Sequence, residues 1–222
     1  MDESPSPAAA PGRAATPNHH ASHPGFSGAS GLLAAVSFLF GRDTAAQLAV
    51  ELAQLQVGEH VVDVGCGPGV AARRAHALGA VVIGVDPAPV MLRVARARGG
   101  GRRATGVQWR LGTAEALPVE SAWAHVVWSL STVHHWSELD PALDEAARVL
   151  APEGRLVVVE RRIADPLAPG AAGHGWTLPQ AEAFAEACRA HGFTNVRVGE
   201  HTEPHGRRST LSVVANRAPA TA

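Results

Sequence analysis

The residues best suited to chemistry lie in one short stretch. Val61-Val62-Asp63-Val64 reads as a buried strand with a single carboxylate among valines, and it runs straight into Gly65-Cys66-Gly67-Pro68-Gly69. Glycines at alternate positions let the backbone take positive φ and let a bulky group approach it closely. A strand, a glycine turn and a helix open a nucleotide-binding βαβ unit. The spacing Gly-x-Gly-x-Gly is nevertheless one residue shorter than the Gly-x-Gly-x-x-Gly that docks a pyrophosphate on a helix N-terminus. A shorter turn with proline inside suits a ligand lacking a diphosphate. Asp63, poorly placed beside phosphates, suits an ammonium or sulfonium cation. Read alone, the stretch also fits a plain tight connection between strand and helix.

Three further groups extend this reading. Asp86 closes the next apolar strand, Val81-Val82-Ile83-Gly84-Val85, 23 residues after Asp63. A carboxylate there can accept two hydrogen bonds from a ribose diol. An Asp before a proline is ordinarily a turn or a helix cap; its position relative to the glycine turn favours the ribose. Gly112-Thr113-Ala114-Glu115-Ala116-Leu117-Pro118 follows a third strand, where it can read an adenine edge or simply form a loop. Thr132-Val133-His134-His135-Trp136 follows a fourth strand, at the carboxyl edge where parallel sheets bind ligands. An imidazole at His134 can orient an acceptor or take a proton from it. Pocket lining and a structural role stay open for it. Paired histidines also suggest metal, but no third ligand stands at a telling spacing, and no metal is expected.

These residues must be positioned by alternating strands and helices. Helices are expected over about Val70–Leu78, Ala88–Ala97, Leu143–Leu150 and Pro179–His191. Strands are expected at Val61–Val64, Val81–Val85, Val107–Leu111 near a sheet edge, Val126–Leu130, and Arg155–Val159 after a turn at 151–154. Apolar strands alternating with helices argue for a parallel sheet covered on both faces. Val196–Val198 and Leu211–Val214, joined by a turn near His205-Gly206, are too close for a crossover and must be antiparallel. Ahead of the glycine turn, Thr44-Ala45-Ala46-Gln47 has a capping-box pattern, with Leu48, Leu52 and Leu55 on one face of the helix it opens.

The 222 residues suit one domain, and 46% hydrophobic content can fill a core. Nineteen basic against twenty acidic residues leave no global field for nucleic acid or anionic membrane. Arg98, Arg102 and Arg103 read as a solvated surface loop, and no nucleic-acid partner is expected. The most apolar run, Leu32–Phe40, is too short to span a bilayer. Two cysteines, Cys66 and Cys188, and the lack of a secretory pattern suggest a reducing, cytoplasmic setting. Residues 1–24 carry five prolines and few large apolar side chains, so a disordered tail is expected, with His19, His20 and His23 solvated rather than binding a metal adventitiously. Residues 25–56 are expected to form a helical lid, and 57–218 the main domain.

Taken in order, Val61–Gly69, Gly84-Val85-Asp86-Pro87 through Met91-Leu92, Gly112–Pro118, Ser129–Trp136 and Arg148–Leu156 resemble the class I S-adenosylmethionine-dependent methyltransferases. The likeness covers roughly residues 45–217 and is closest to the small-molecule and quinone-biosynthesis C-methyltransferase group. It implies a Rossmann-like α/β fold, a seven-stranded mostly parallel sheet with an antiparallel last strand and helices on both faces. It also implies S-adenosyl-L-methionine as cofactor, S-adenosyl-L-homocysteine as product, and a small, apolar or aromatic methyl acceptor. Homodimerisation is compatible with it.

The resemblance assigns Asp63 and the Gly65 backbone to the methionine amino group, with Cys66, Gly67 and Gly69 lining the cofactor. Asp86 takes the ribose hydroxyls, Pro87 and Met91 pack on adenine, Thr113, Ala114 and Glu115 face its edge, and Ser129 closes over the methionine end. His134 is the candidate catalytic residue. Phe38, Phe40, Trp128, His134, Trp136 and Trp176 are candidate acceptor walls. Two positions depart from the family: Thr113 stands where relatives often place Asp, and His125 where they usually begin the fourth strand with Asp. A non-catalytic S-adenosylmethionine-binding protein is the alternative, and a nicotinamide-dependent oxidoreductase is disfavoured by the glycine spacing.

Overall fold

Valine-rich runs become the centre of one seven-stranded sheet in the computed structural model, which describes residues 16–20, 43–98, 106–202 and 209–219. The elements are α1 (Asp43–Ala53), β1 (His60–Val64), α2 (Val70–Ala77), β2 (Val81–Asp86), α3 (Pro89–Arg98), β3 (Val107–Leu111) and β4 (Ala124–Leu130). They continue with α4 (Leu139–Val149), β5 (Leu150–Arg161), α5 (Leu178–Ala190), β6 (Phe193–Thr202) and β7 (Ser209–Arg217). The strand order is β3-β2-β1-β4-β5-β7-β6. β7 runs antiparallel to both neighbours, and all other pairings are parallel. The expected fold class is therefore the observed one. β3 lies at one edge, and β1 and β4 are central, so the chain changes direction across the sheet where ligands bind in open α/β folds.

Alternation along each buried strand sends side chains to two cores. Val62, Val64, Val127, Leu156 and Val158 meet Leu143, Ala146, Phe184 and Ala185 of α4 and α5. Val61, Val126, Trp128, Val157 and Val159 meet Ala46, Ala49 and Ala53 of α1 and Ala72 and Ala75 of α2. A fully buried side chain such as Phe184 or Leu156 contributes about 1.5–3 kcal/mol.

Several local expectations change. The buried face of α1 is Ala46, Ala49 and Ala53, with Leu48, Leu52 and Leu55 only partly covered at its flanks. Small residues let that helix approach the sheet closely. Its other anchor is Arg155, which pairs with Glu59 at 2.6 Å and donates to the Ala53 carbonyl. Gln47 bonds Glu51 rather than closing a capping box; the box forms instead at Thr177 and Gln180, opening α5. Residues 151–154 are not a turn ahead of β5 but an irregularity within it. Leu150 pairs with Ala124 and Arg155 with Val126, and Glu153 takes φ of 62°. β6 forms the far edge and carries its own register shift between Thr194 and Arg197, with Asn195 at φ 52°.

The N-terminal expectation changes most. Residues 16–20 pack on the domain: Trp176 Nε1 donates to Pro17 O at 2.8 Å, Gln180 Nε2 to Thr16 O at 3.0 Å, and Asn18 Nδ2 to Trp136 O at 3.1 Å. The buried indole and amide supply donors that the carbonyls of this turn satisfy. The rest of the tail, the 25–42 part of the lid with Phe38 and Phe40, Arg102, Arg103 and the 205–206 turn lie outside the described residues. Among the described residues, no helix is long and apolar enough to cross a membrane.

Candidate functional site: a cleft at the glycine turn and a histidine cluster

The glycine turn is fastened to the end of β2. Gly65 N and Cys66 N both donate to Val85 O, at 2.8 and 3.0 Å, and Gly67 N donates to Asp86 Oδ2 at 2.8 Å. The other Asp86 oxygen accepts from Ala88 N at 2.8 Å, so this carboxylate also caps the entry to α3. Gly65, Gly67 and Gly69 all have positive φ. A Cβ on Gly65 would lie 2.6 Å from the Thr132 methyl, and one on Gly69 would strike the Trp109 ring. The loop after β4 thus presses directly on the turn after β1. Thr132 Oγ1 contacts Ser129 Oγ at 2.5 Å and donates to Val64 O at 3.2 Å, tying the two strand ends together.

Asp63, Gly65, Cys66, Pro68, Val70 and Ala71 line a cleft at this junction, with Ala45, Leu130 and Ser131 opposite. Among these described residues Asp63 is the one carboxylate. It is 2% exposed, and Oδ2 accepts from Ala72 N at 3.1 Å in the first turn of α2, where the helix dipole favours an anion. Arg73, on the same helix, donates to Pro68 O; burial, then the nearby Arg98, lowers its pKa from the usual arginine value. Cys66 is buried, with Sγ 3.7 Å from Gly67 O.

The other predicted positions divide. Asp86 and Ser129 are buried at the ends of β2 and β4, close to the turn. Pro87 is exposed beside Asp86, whereas Met91 is buried in a small cluster with Ala88 and Val90. Thr113 is exposed and bridges to Ala116, and Ala114 is part of the core. Glu115 is otherwise engaged: its carboxylate accepts from Ser137 N at 2.7 Å and Glu138 N at 3.2 Å, ahead of α4. Trp128 is buried in the α1–α2 core, and Trp136 and Trp176 in the α4–α5 core, so the three indoles do not form one acceptor wall. His125 Nδ1 accepts from His60 N at 3.0 Å, a structural contact between the starts of β1 and β4.

His134 lies apart from the lining of that cleft. It is 2% exposed and places Nδ1 2.9 Å from Glu160 Oε2. The other Glu160 oxygen accepts from Val133 N at 2.9 Å. Its remaining neighbours include His20, His135 and His174, with ring centroids 5.8, 4.2 and 5.4 Å away. A residue held this way is poorly placed to take a proton from an acceptor in the cleft. Sequence spacing misses His20, His174 and Glu160, which come from three distant segments. The one local signal is an acidic residue directly after Val157-Val158-Val159 in β5.

Residues 62–158 match the family described as Methyltransferase domain (Methyltransf_11). That stretch is similar to a methyltransferase domain, and the sheet that contains it has the methyltransferase-like fold. Over 112 residues the chain is 37% identical to a demethylmenaquinone methyltransferase of Tropheryma whipplei, covering 50% of this chain and 46% of that one. It thus spans about half the length of the curated relatives it matches. The methyltransferase fold extends beyond the matched residues. An S-adenosylmethionine-dependent methyltransferase from Mesorhizobium loti superposes with TM-score 0.64 at 22% identity, over 80% of this chain and all of the other. The [4+2]-cyclase SpnF superposes with TM-score 0.66 at 21% identity, over 80% and 81%.

Proposed function

We propose that the protein binds S-adenosylmethionine in the cleft at the glycine turn and transfers its methyl group to a small, apolar or aromatic acceptor. The observation that carries this reading is the buried Asp63 carboxylate at the floor of a cleft whose other walls are glycine backbone and small or apolar side chains. That surface fits a compact cation. Asp86 fits a ribose because it closes β2 beside the glycine turn, with its carboxylate held in place by Gly67 N and Ala88 N. Among the described residues lining the cleft there is no lysine or arginine, which argues against a diphosphate.

In this reading Asp63 and the Gly65 backbone hold the methionine amino group, and Gly67 and Gly69 leave room for the cofactor. Asp86 orients the ribose, Pro87 lies beside the adenine, and Thr113 and Ala114 lie near its edge. Ser129, fixed through Thr132, holds the shape of the methionine end. The bound cofactor supplies an already activated methyl group, leaving as S-adenosylhomocysteine. What remains for the protein is alignment and exclusion of water, and alignment alone can supply about 7–11 kcal/mol. The likeness to a demethylmenaquinone methyltransferase supports a quinone-like ring as the acceptor class.

Calorimetry tests the binding step. S-adenosylmethionine and S-adenosylhomocysteine should each bind at one site, and NAD should give no heat. A folded protein that gives no heat with either sulfur compound refutes the reading. Transfer of labelled methyl across a panel of hydroquinones and phenols then separates an enzyme from a non-catalytic binding protein.

A further inference from the structure

We propose that His20, His134, His135 and His174 form a four-nitrogen site for a divalent transition metal, Zn²⁺ by preference, that fastens the N-terminal segment to the domain. The ligand-capable atoms of these four side chains all lie within 4.8 Å of one another. Zn–N bonds of about 2.0–2.1 Å in a tetrahedron put neighbouring nitrogens ~3.4 Å apart, so small rotations of the imidazoles close the shell. Four protein ligands leave no open position, which is the arrangement of a structural site rather than a hydrolytic one. Imidazole-only ligation suits Zn²⁺ and its first-row neighbours, not Mg²⁺ or Ca²⁺.

The surroundings are those of a built site. Glu160 is fully buried, and a carboxylate can only accept, so the 2.9 Å contact from His134 Nδ1 fixes that nitrogen as the donor. That leaves Nε2 as the His134 nitrogen available to a metal. A carboxylate behind a ligating imidazole is the usual support of a metal-bound histidine. A metal on the far side of the ring would also offset the buried negative charge. His135 follows in the same 3₁₀ turn, Val133–His135. His174 sits on a loop, and its carbonyl accepts from Arg161 Nε and Nη2, at 3.0 and 2.7 Å. His20 arrives by a backbone bond, His20 N to His134 O at 2.8 Å. His19 lies 4.4 Å from His20 ring to ring, but Nε2 faces Gly173 O and Nδ1 faces Gln180 Nε2, both at 3.0 Å, which leaves it outside the ligand set.

The ligands come from the N-terminal segment, the loop after β4 and the loop after β5. Bound metal would lock together three stretches that hydrogen bonds already bring into contact. It would also stiffen Thr132 and Val133, of which Thr132 presses on the glycine turn.

The test uses the full-length, untagged chain, stripped with a chelator and titrated with Zn²⁺ alone. The wild type should bind one equivalent and show a raised Tm, and Co²⁺ should give the intense visible absorption of tetrahedral coordination. H135A and H174A change half-buried residues, and each should lose the stoichiometric binding and the Tm rise. H19A and H201Q should keep both, since His201 bonds Ser212 and is outside the four-histidine group. Glu160→Gln should weaken Zn²⁺ binding roughly 10–100-fold. Absence of an equivalent in the wild type, or binding that survives H135A and H174A, overturns the proposal; the latter would mean adventitious capture by the His-rich N-terminus.

Discussion

Asp86→Ala separates the hold of this carboxylate on the glycine turn from the ribose contact proposed for it. In the free protein the side chain accepts from Gly67 N and Ala88 N, both at 2.8 Å, and it is 6% exposed. Truncation leaves two donors without their acceptor, where each hydrogen bond to a charged group is worth about 1.5–3 kcal/mol. Water entering from the cleft recovers part of that, so the expected loss is about 2–4 kcal/mol. For a chain of this size each kcal/mol lowers Tm by about 2–4 °C, giving a fall of roughly 5–15 °C. Asp86→Asn keeps one acceptor oxygen and should lose about half as much. Cofactor binding is a second, independent readout: losing the ribose hydrogen bonds should weaken S-adenosylmethionine by about 1–3 kcal/mol, roughly 5–150-fold. Differential scanning calorimetry measures the first effect, and titration calorimetry of still-folded protein measures the second. An unchanged Tm refutes the role of Asp86 in holding the turn. A lowered Tm with unchanged affinity refutes the ribose assignment alone.

Other outcomes follow from the same geometry. Gly65→Ala combines φ of 70° with a Cβ 2.6 Å from the Thr132 methyl, and should cost about 2–4 kcal/mol in chemical denaturation; Thr132→Ala in the same chain should restore part of it. His191 lies between Asp144 and Asp140, at 2.8 and 3.2 Å; burial works against its protonated form, but the two carboxylates outweigh it and raise its pKa. Its stabilising effect is therefore full below the unfolded value near 6.5 and is lost as pH rises through the folded one. The Tm deficit of His191→Ala should be largest at about pH 6 and smallest at about pH 8.5, and a deficit that grows with pH refutes the pairing. Burial pushes the Cys188 thiol up to about 12, so alkylation followed by mass spectrometry should label it only on unfolding.

Strands buried on both faces are readable because a continuous apolar run needs no partner information: Leu156-Val157-Val158-Val159 is apolar throughout and feeds both cores. The hairpin direction of β6 and β7 is readable from linker length alone. The cleft at the glycine turn is legible because Asp63, the glycines and Asp86 lie close in sequence or at a spacing set by one βαβ unit. What escapes depends on long-range contact. The α1 face misleads because leucines look more core-like than alanines, yet close approach to the sheet selects the alanines. Residues 16–20 look solvated by composition, although their backbone satisfies the buried Trp176 and Gln180 donors. His20 and His174 carry no local sign of meeting His134, and only the folded loops bring them together.

The irregular outer strand has a consequence for self-association. β6 presents Arg197, Glu200 and His201 along a kinked ribbon, with Asn195 in a left-handed turn of backbone at the register shift. A second copy could not extend the sheet across this border without losing backbone pairing at the kink. That border therefore hinders fibrous, strand-by-strand growth from the β6 side of the sheet.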